Sequence, residues 1–124
     1  LDPADTREIE AEVAGPAALV IAKVHKIHDR VERPDRLIDK DAADVFRIMS
    51  SMQPADIAAT MRRLLEHETA GAPTQQGLDY LRDLFGSRRG DGIAMAGRAL
   101  RIAMPEARVL EVCLAWTEAL LSAI

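Results

Sequence analysis

Apolar residues recur at every third or fourth position through most of this 124-residue chain. After Pro16 the pattern is clear, because Val20, Val24, Ile27 and Val31 lie within one narrow stripe of a helical projection. Prolines and glycines separate one such stretch from the next. Since these residues mark where helices begin and end, the pattern predicts an all-α fold, a bundle of five to six helices.

These breaks also predict the helix boundaries. Asp39 fits the N-cap of the second helix, and Pro54 and Pro105 suit first helical positions. Loops are predicted at residues 70–73 and 86–92. The predicted helices therefore cover residues 16–33, about 39–52, from about 54 to the first loop, about 74–85, from 93 onward, and 105–124.

Residues 7–14, REIEAEVA, alternate between apolar and charged side chains. Period two predicts a half-buried β-strand at the N-terminus. The alternative is a short helix, because Ile9 and Val13 are four residues apart and Asp5 with Glu8 fits a capping box. We favour the short N-terminal strand, although it would need a partner strand to pair its backbone groups.

Length and charge limit the classes of protein to consider. A chain of 124 residues fits one domain, here residues 1–124. The net charge of −4 provides no general footprint for nucleic acid, so any anion site must be a local basic patch. A lone Cys113 and the lack of a long apolar run favour a cytoplasmic protein that does not cross a membrane. Because the chain begins at Leu1, we expect it to be the C-terminal part of a longer protein.

Charged residues are most specifically spaced between Lys23 and Asp44. Lys23 and Arg30 project onto the same edge of the apolar stripe of the first helix, whereas Asp41 falls inside the stripe of the next helix. A carboxylate directed at the core costs free energy unless it is paired, so Lys23 and Arg30 are its expected partners. Two interpretations stay open: a semi-buried network that joins two helices, or a cleft where the cations neutralise phosphates and the aspartates position them or a metal.

The same residues resemble a known family. LVIAKVHKIHDR followed by DKDAAD is similar to the C-terminal motif of nucleotidyltransferase-like proteins of the type IV toxin, or abortive-infection, kind and their uncharacterised bacterial relatives. The family pattern has a lysine and, seven residues later, an arginine, then Lys-Asp-x-x-Asp. Lys23 and Arg30 match its first part, and Lys40, Asp41 and Asp44 match its second part.

The resemblance covers roughly residues 8–50. It implies that the three matched cations bind nucleotide phosphates and that the two matched aspartates support them. It also implies a separate catalytic core with a Gly-Ser or Gly-Gly motif and an Asp-x-Asp metal pair. Gly86-Ser87 has no Asp-x-Asp after it, and the pair Asp39 and Asp41 belongs to the helical motif.

The expected function is therefore that of a helical C-terminal domain of a nucleotidyltransferase-like protein. This domain would contribute a basic and acidic wall to a nucleotide-phosphate site and would not be catalytic alone. Mg²⁺ and nucleotide are expected as ligands only together with the catalytic core, and no catalytic residue is assigned in this chain.

A different class of function is the alternative. The apolar positions of residues 109–124 extend nearly all the way round the last helix, and such a helix is either central in its fold or covered by a partner. This pattern is typical of a non-enzymatic interaction module, and it predicts a homodimer through residues 109–124.

Three further features have simpler interpretations. His25 and His28 project outward without a third ligand nearby, which favours a solvated helix face over a zinc site. The segment GSRRGDG lacks the Lys-Ser/Thr of a phosphate-binding loop, which favours an ordinary turn between helices. Cys113 is expected to be buried and inert.

Overall fold

The computed structural model describes the backbone of residues 3–33 and 35–124, and their side chains from residue 15 onward except at residue 36. Within this part of the chain the predicted all-α fold is confirmed, with six helices and no strand. The helices are α1 (Pro3–Asp29), α2 (Arg36–Ser51), α3 (Pro54–Glu66), α4 (Gly71–Phe85), α5 (Asp91–Leu100) and α6 (Glu106–Ser122).

The predicted N-terminal strand is wrong, because residues 7–14 are helical and belong to α1. No strand in the described chain offers an edge for pairing, and a helix satisfies its own backbone groups without a partner. Gly15 interrupts the regular geometry of α1 with φ 44° and ψ −121°. This positive φ lies in the region that favours glycine over other residues.

Other boundaries also differ from the prediction. Helix α1 ends at Asp29 rather than near residue 33, and Pro105 is the N-cap of α6 rather than its first residue. The N-cap of α2 is Asp35 rather than Asp39, because Asp35 Oδ1 accepts hydrogen bonds from the backbone N–H groups of Leu37 and Ile38 at 2.9 and 3.0 Å. Asp39 thus lies within the first helical turn, where its side chain is available for a tertiary contact. The predicted loop at 70–73 is instead mostly the first turn of α4, which tolerates proline because the first N–H groups of a helix have no helical partner.

All six helices contribute to one apolar core, which contains twenty-four buried residues among those whose side chains are described. Helix α6 packs against α2, α3, α4 and α5. Val109, Cys113 and Leu120 of this helix are fully buried, and Leu110 and Leu114 pack partly buried against the same core. The central position of α6 explains why apolar residues occupy most sides of this helix.

None of the helices in the described ranges combines the length and the hydropathy needed to cross a lipid bilayer.

Candidate functional site

The expected ion pair between Lys23 and Asp41 is present between α1 and α2. Lys23 Nζ lies 2.6 Å from Asp41 Oδ1 and 3.2 Å from Asp44 Oδ2. Lys26 Nζ lies 3.0 Å from Asp41 Oδ2, an ion-pair distance. The Asp41 side chain is only 7% exposed, so the carboxylate inside the apolar stripe is compensated by two cations, as its cost of burial requires.

The electrostatics of this cluster favour a structural role. Burial acts to raise the pKa of Asp41, but the contacts with Lys23 and Lys26 outweigh it and hold the pKa below its usual range. The hydrogen bond to Asp41 raises the pKa of Lys23 against the opposing effect of burial, and Asp44 adds to the rise. Lys23 is therefore charged at neutral pH, but two carboxylates already neutralise it.

Arg30 does not join this cluster, so its predicted pairing with Asp41 is wrong. Helix α1 ends at Asp29, and Arg30 lies in the following turn, where its side chain is exposed. Its side chain forms no ion pair with the described residues. Lys26 takes the expected place of Arg30, because its long aliphatic stem carries the ammonium group to Asp41 from further round the helix.

Lys40 lies apart from Lys23, in a groove of about 550 Å³ between α2 and the end of α5. We call it the α2–α5 groove. Three apolar residues line it, of which Ile102 is 98% exposed. The full lining consists of Asp39, Lys40, Ala43, Arg47, Arg98, Ala99, Arg101 and Ile102.

Positive charge exceeds negative charge in this groove. Arg98 donates from Nε and Nη2 to the two carboxylate oxygens of Asp39, at 3.1 and 2.9 Å. Arg47 Nη1 donates to Asp44 Oδ1 at 2.7 Å. Lys40 and Arg101 form no ion pair with any described residue. Four cations thus line the groove with one carboxylate, Asp39, while Asp44 pairs with Arg47 from outside the lining. Lys40 and Arg101 therefore remain available to a bound anion.

The negative net charge of the chain comes from its N-terminal residues. Residues 1–14 contain five acidic residues and one basic residue, which together equal the net charge of −4. Residues 15–124 contain fifteen residues of each sign. The net charge of the chain therefore says little about the potential at the α2–α5 groove.

The predicted turn at GSRRGDG is confirmed for residues 86–90, which lie between α4 and α5, whereas Asp91 and Gly92 already belong to α5. A Cβ atom at Gly90 would overlap the carbonyl oxygen of Leu84, and one at Gly92 would lie 2.6 Å from the Phe85 ring. Close packing thus explains these two glycines. The exposed Arg88 and Arg89 line a second hollow of about 460 Å³ between α5 and α6, and Arg98 lines both this hollow and the α2–α5 groove.

The two histidines of α1 are less solvated than predicted. The rings of His28 and Tyr80 are stacked with centroids 3.6 Å apart, and the His25 ring meets the edge or face of Tyr80 at 5.2 Å. His25 Nε2 lies 2.8 Å from the carbonyl oxygen of Pro73, and since a carbonyl only accepts, Nε2 is the donor. These contacts join α1 to α4.

Neither metal nor thiol chemistry is indicated for the described residues. No group of three or more His, Cys, Asp and Glu side chains among them is placed to hold a metal ion. Cys113 is buried, as expected, and burial raises the pKa of its thiol to about 12. A thiol with this pKa is a poor nucleophile at neutral pH.

No family model matches the chain, and no curated protein or solved structure is significantly similar to it. The resemblance to nucleotidyltransferase-like proteins therefore stays a prediction without support from these comparisons.

Proposed function

We propose that this chain is a non-catalytic helical domain that binds the phosphate groups of a nucleotide in the α2–α5 groove. The observation that carries the proposal is the convergence of Lys40 and Arg101, both without an ion-pair partner among the described residues, on a groove that also contains Arg98. In the resemblance to the C-terminal part of nucleotidyltransferase-like proteins, Lys40 is one of the matched phosphate-binding residues.

The composition of the groove fits a phosphorylated ligand. Phosphate groups carry several negative charges and many acceptor oxygens, which suit one lysine and one arginine without carboxylate partners. The same groove contains Ala43, Ala99 and the highly exposed Ile102. These apolar side chains offer contact area for the uncharged part of a nucleotide, whereas a free inorganic anion would not use them.

The cluster around Asp41 has a supporting role in this proposal. Asp44 links the cluster to the groove, since its Oδ2 lies 3.2 Å from Lys23 Nζ and its Oδ1 accepts a hydrogen bond from Arg47. Lys23 and Asp41 hold α2 against α1, and α2 in turn presents Lys40 to the groove. In this proposal Lys40 binds phosphate, whereas Lys23, Asp41 and Asp44 support the position of α2. Lys23 itself does not bind phosphate.

Titration calorimetry with ATP, with and without Mg²⁺, tests the proposal. The wild-type protein is expected to bind, and the variant Lys40→Glu/Arg101→Glu is expected to bind at least about tenfold more weakly, a change of about 1.4 kcal/mol. The matched control is Arg33→Glu/Arg63→Glu, which changes the net charge equally at exposed positions outside the groove. Equal losses in both variants, or no binding by the wild type at millimolar ATP, would reject the proposed site.

A homodimer through residues 109–124 is the second candidate function. One observation favours it: Val112, Ala115 and Trp116 of α6, together with Pro54, line a shallow hollow of about 290 Å³ that is almost entirely apolar. Multi-angle light scattering tests this candidate. A dimer that the substitution Val112→Glu converts to a monomer supports it, and a wild-type protein that is monomeric at high micromolar concentration rejects it.

A further inference from the structure

Arg98 is held in a fixed orientation by a carboxylate from a different helix. Asp39 is in the first turn of α2 and Arg98 is in the last turn of α5. Two hydrogen bonds join them, from Nε to Oδ2 at 3.1 Å and from Nη2 to Oδ1 at 2.9 Å. The Asp39 side chain is 17% exposed, whereas the Arg98 side chain is 48% exposed.

This pairing leaves one edge of the guanidinium group unused. A guanidinium has five N–H donors, one on Nε and two on each terminal nitrogen. Asp39 accepts one from Nε and one from Nη2, so both N–H groups of Nη1 and the second of Nη2 remain. No described residue accepts a hydrogen bond from these three donors. Two of them, one on Nη1 and one on Nη2, form a fork of the geometry that binds two oxygens of a phosphate group.

We propose that Arg98 contacts a ligand phosphate through this terminal edge and that Asp39 is the positioning residue that holds it there. The inference rests on the proposed function of the α2–α5 groove. It specifies that the site recognises a phosphate group with two accessible oxygens on one face, which pyrophosphate and the terminal phosphate of a nucleotide both provide.

Two opposing effects of Asp39 have to be weighed. Its negative charge repels a phosphate, but this charge is paired with Arg98 and its side chain is mostly covered. Without the carboxylate, the half-exposed arginine side chain would sample many rotamers and lose that conformational entropy on binding. The repulsion of phosphate by Asp39 is already compensated by Arg98, whereas nothing would compensate for the lost orientation of Arg98. We therefore expect removal of the carboxylate to weaken binding.

A mutant cycle tests this inference with pyrophosphate and ATP as ligands. Asp39→Asn and Arg98→Lys are each expected to raise the dissociation constant about tenfold. The double variant is expected to bind no more weakly than Arg98→Lys alone, because Asp39 acts only through the guanidinium fork. Asp39→Glu, which keeps the carboxylate, is expected to recover part of the affinity, whereas a residue that only stabilised the fold would not produce this coupling.

Each outcome of the mutant cycle either supports or overturns the role assigned to Asp39. Tighter binding by Asp39→Asn would show that Asp39 repels the ligand, and additive losses in the double variant would show that it acts independently of Arg98; either result overturns the inference while the proposed function stands. Wild-type protein that binds neither ligand would instead reject the proposed function, and the inference with it. Thermal unfolding of each variant, followed by circular dichroism, confirms that the compared proteins are folded.

Discussion

Lys23 Nζ and Asp41 Oδ1 lie 2.6 Å apart and join α1 to α2, with Lys23 at the edge of the apolar stripe of α1 and Asp41 inside that of α2. Lys26 approaches the second oxygen of Asp41 at 3.0 Å, and Asp44 approaches Lys23 at 3.2 Å. A charge in such a position is tolerated because it has a partner, and removing one partner leaves the other charge poorly compensated. The cluster is therefore expected to stabilise the fold only while each of its buried charges keeps its partner.

Asp41→Asn should lower the free energy of unfolding by about 2–3 kcal/mol. The reason is that Lys23, whose side chain is only 22% exposed, would keep only the more distant Asp44. Urea unfolding followed by Trp116 fluorescence measures the change. Asp44→Asn is the control, since its side chain is 33% exposed and Lys23 would retain Asp41; its effect should stay below about 1 kcal/mol. Equal effects of the two substitutions would contradict the structural role of Asp41.

The stability of the protein should also depend on pH in a defined way. The folded pKa of Asp41 lies below its ordinary value of 3.8, so its ionised form is stabilised by folding. This contribution is complete above pH 3.8 and is lost as the pH falls through the lower folded pKa. The stability difference between wild type and Asp41→Asn should therefore shrink in the acid range below 3.8, as urea midpoints from pH 2.5 to 7 would show. A difference that is constant over this range would contradict the ion-pair account.

At alkaline pH the stability is expected to depend on pH in the opposite direction, decreasing as the pH rises. The folded pKa of Lys23 lies above 10.5, so its contribution is complete below pH 10.5 and is lost as the pH rises through the folded value.

The fold could be predicted from the sequence because it depends on local patterns. Apolar stripes at helical spacing and the prolines at positions 54 and 105 placed most helices within a few residues of their observed bounds. The strand prediction failed because residues 7–14 satisfy both periods, and the lack of a partner strand among the described residues favours the helix. The N-cap of α2 was misplaced because Asp35 and Asp39 are equally suitable residue types, and backbone geometry alone distinguishes them.

Two glycines offer a matched test of the packing around α5. A Cβ at Gly90 would overlap the Leu84 carbonyl oxygen and lie 2.7 Å from its carbonyl carbon, so Gly90→Ala should destabilise the fold by about 2 kcal/mol or more. At Gly97 the nearest atom would be Glu106 Cγ at 3.6 Å, an ordinary contact. Gly97→Ala should therefore stabilise the protein by about 0.5–1 kcal/mol through the better helix propensity of alanine. Thermal unfolding would contradict this packing if both substitutions acted in the same direction.

The candidate site was only partly predictable. Helical projection correctly paired Lys23 with Asp41, because both lie on α-helical segments whose phase the apolar residues define. Helical projection misplaced Arg30, because α1 ends at Asp29 and Arg30 is the residue after it. The α2–α5 groove was missed except for Lys40, because Arg98 and Arg101 are some sixty residues away in the chain. Only the tertiary packing of α5 on α2 brings these charges together.

The location of the nucleotide site is tested most directly by a ¹⁵N–¹H NMR titration with ATP. The account predicts that shift changes concentrate around Lys40, Arg98 and Ile102, at the two sides of the α2–α5 groove. Amides around Lys23 should change little, because the Lys23 charge is already neutralised by Asp41 and Asp44. Changes confined to the surroundings of Lys23 and Arg30, or no changes at millimolar ATP, would contradict it.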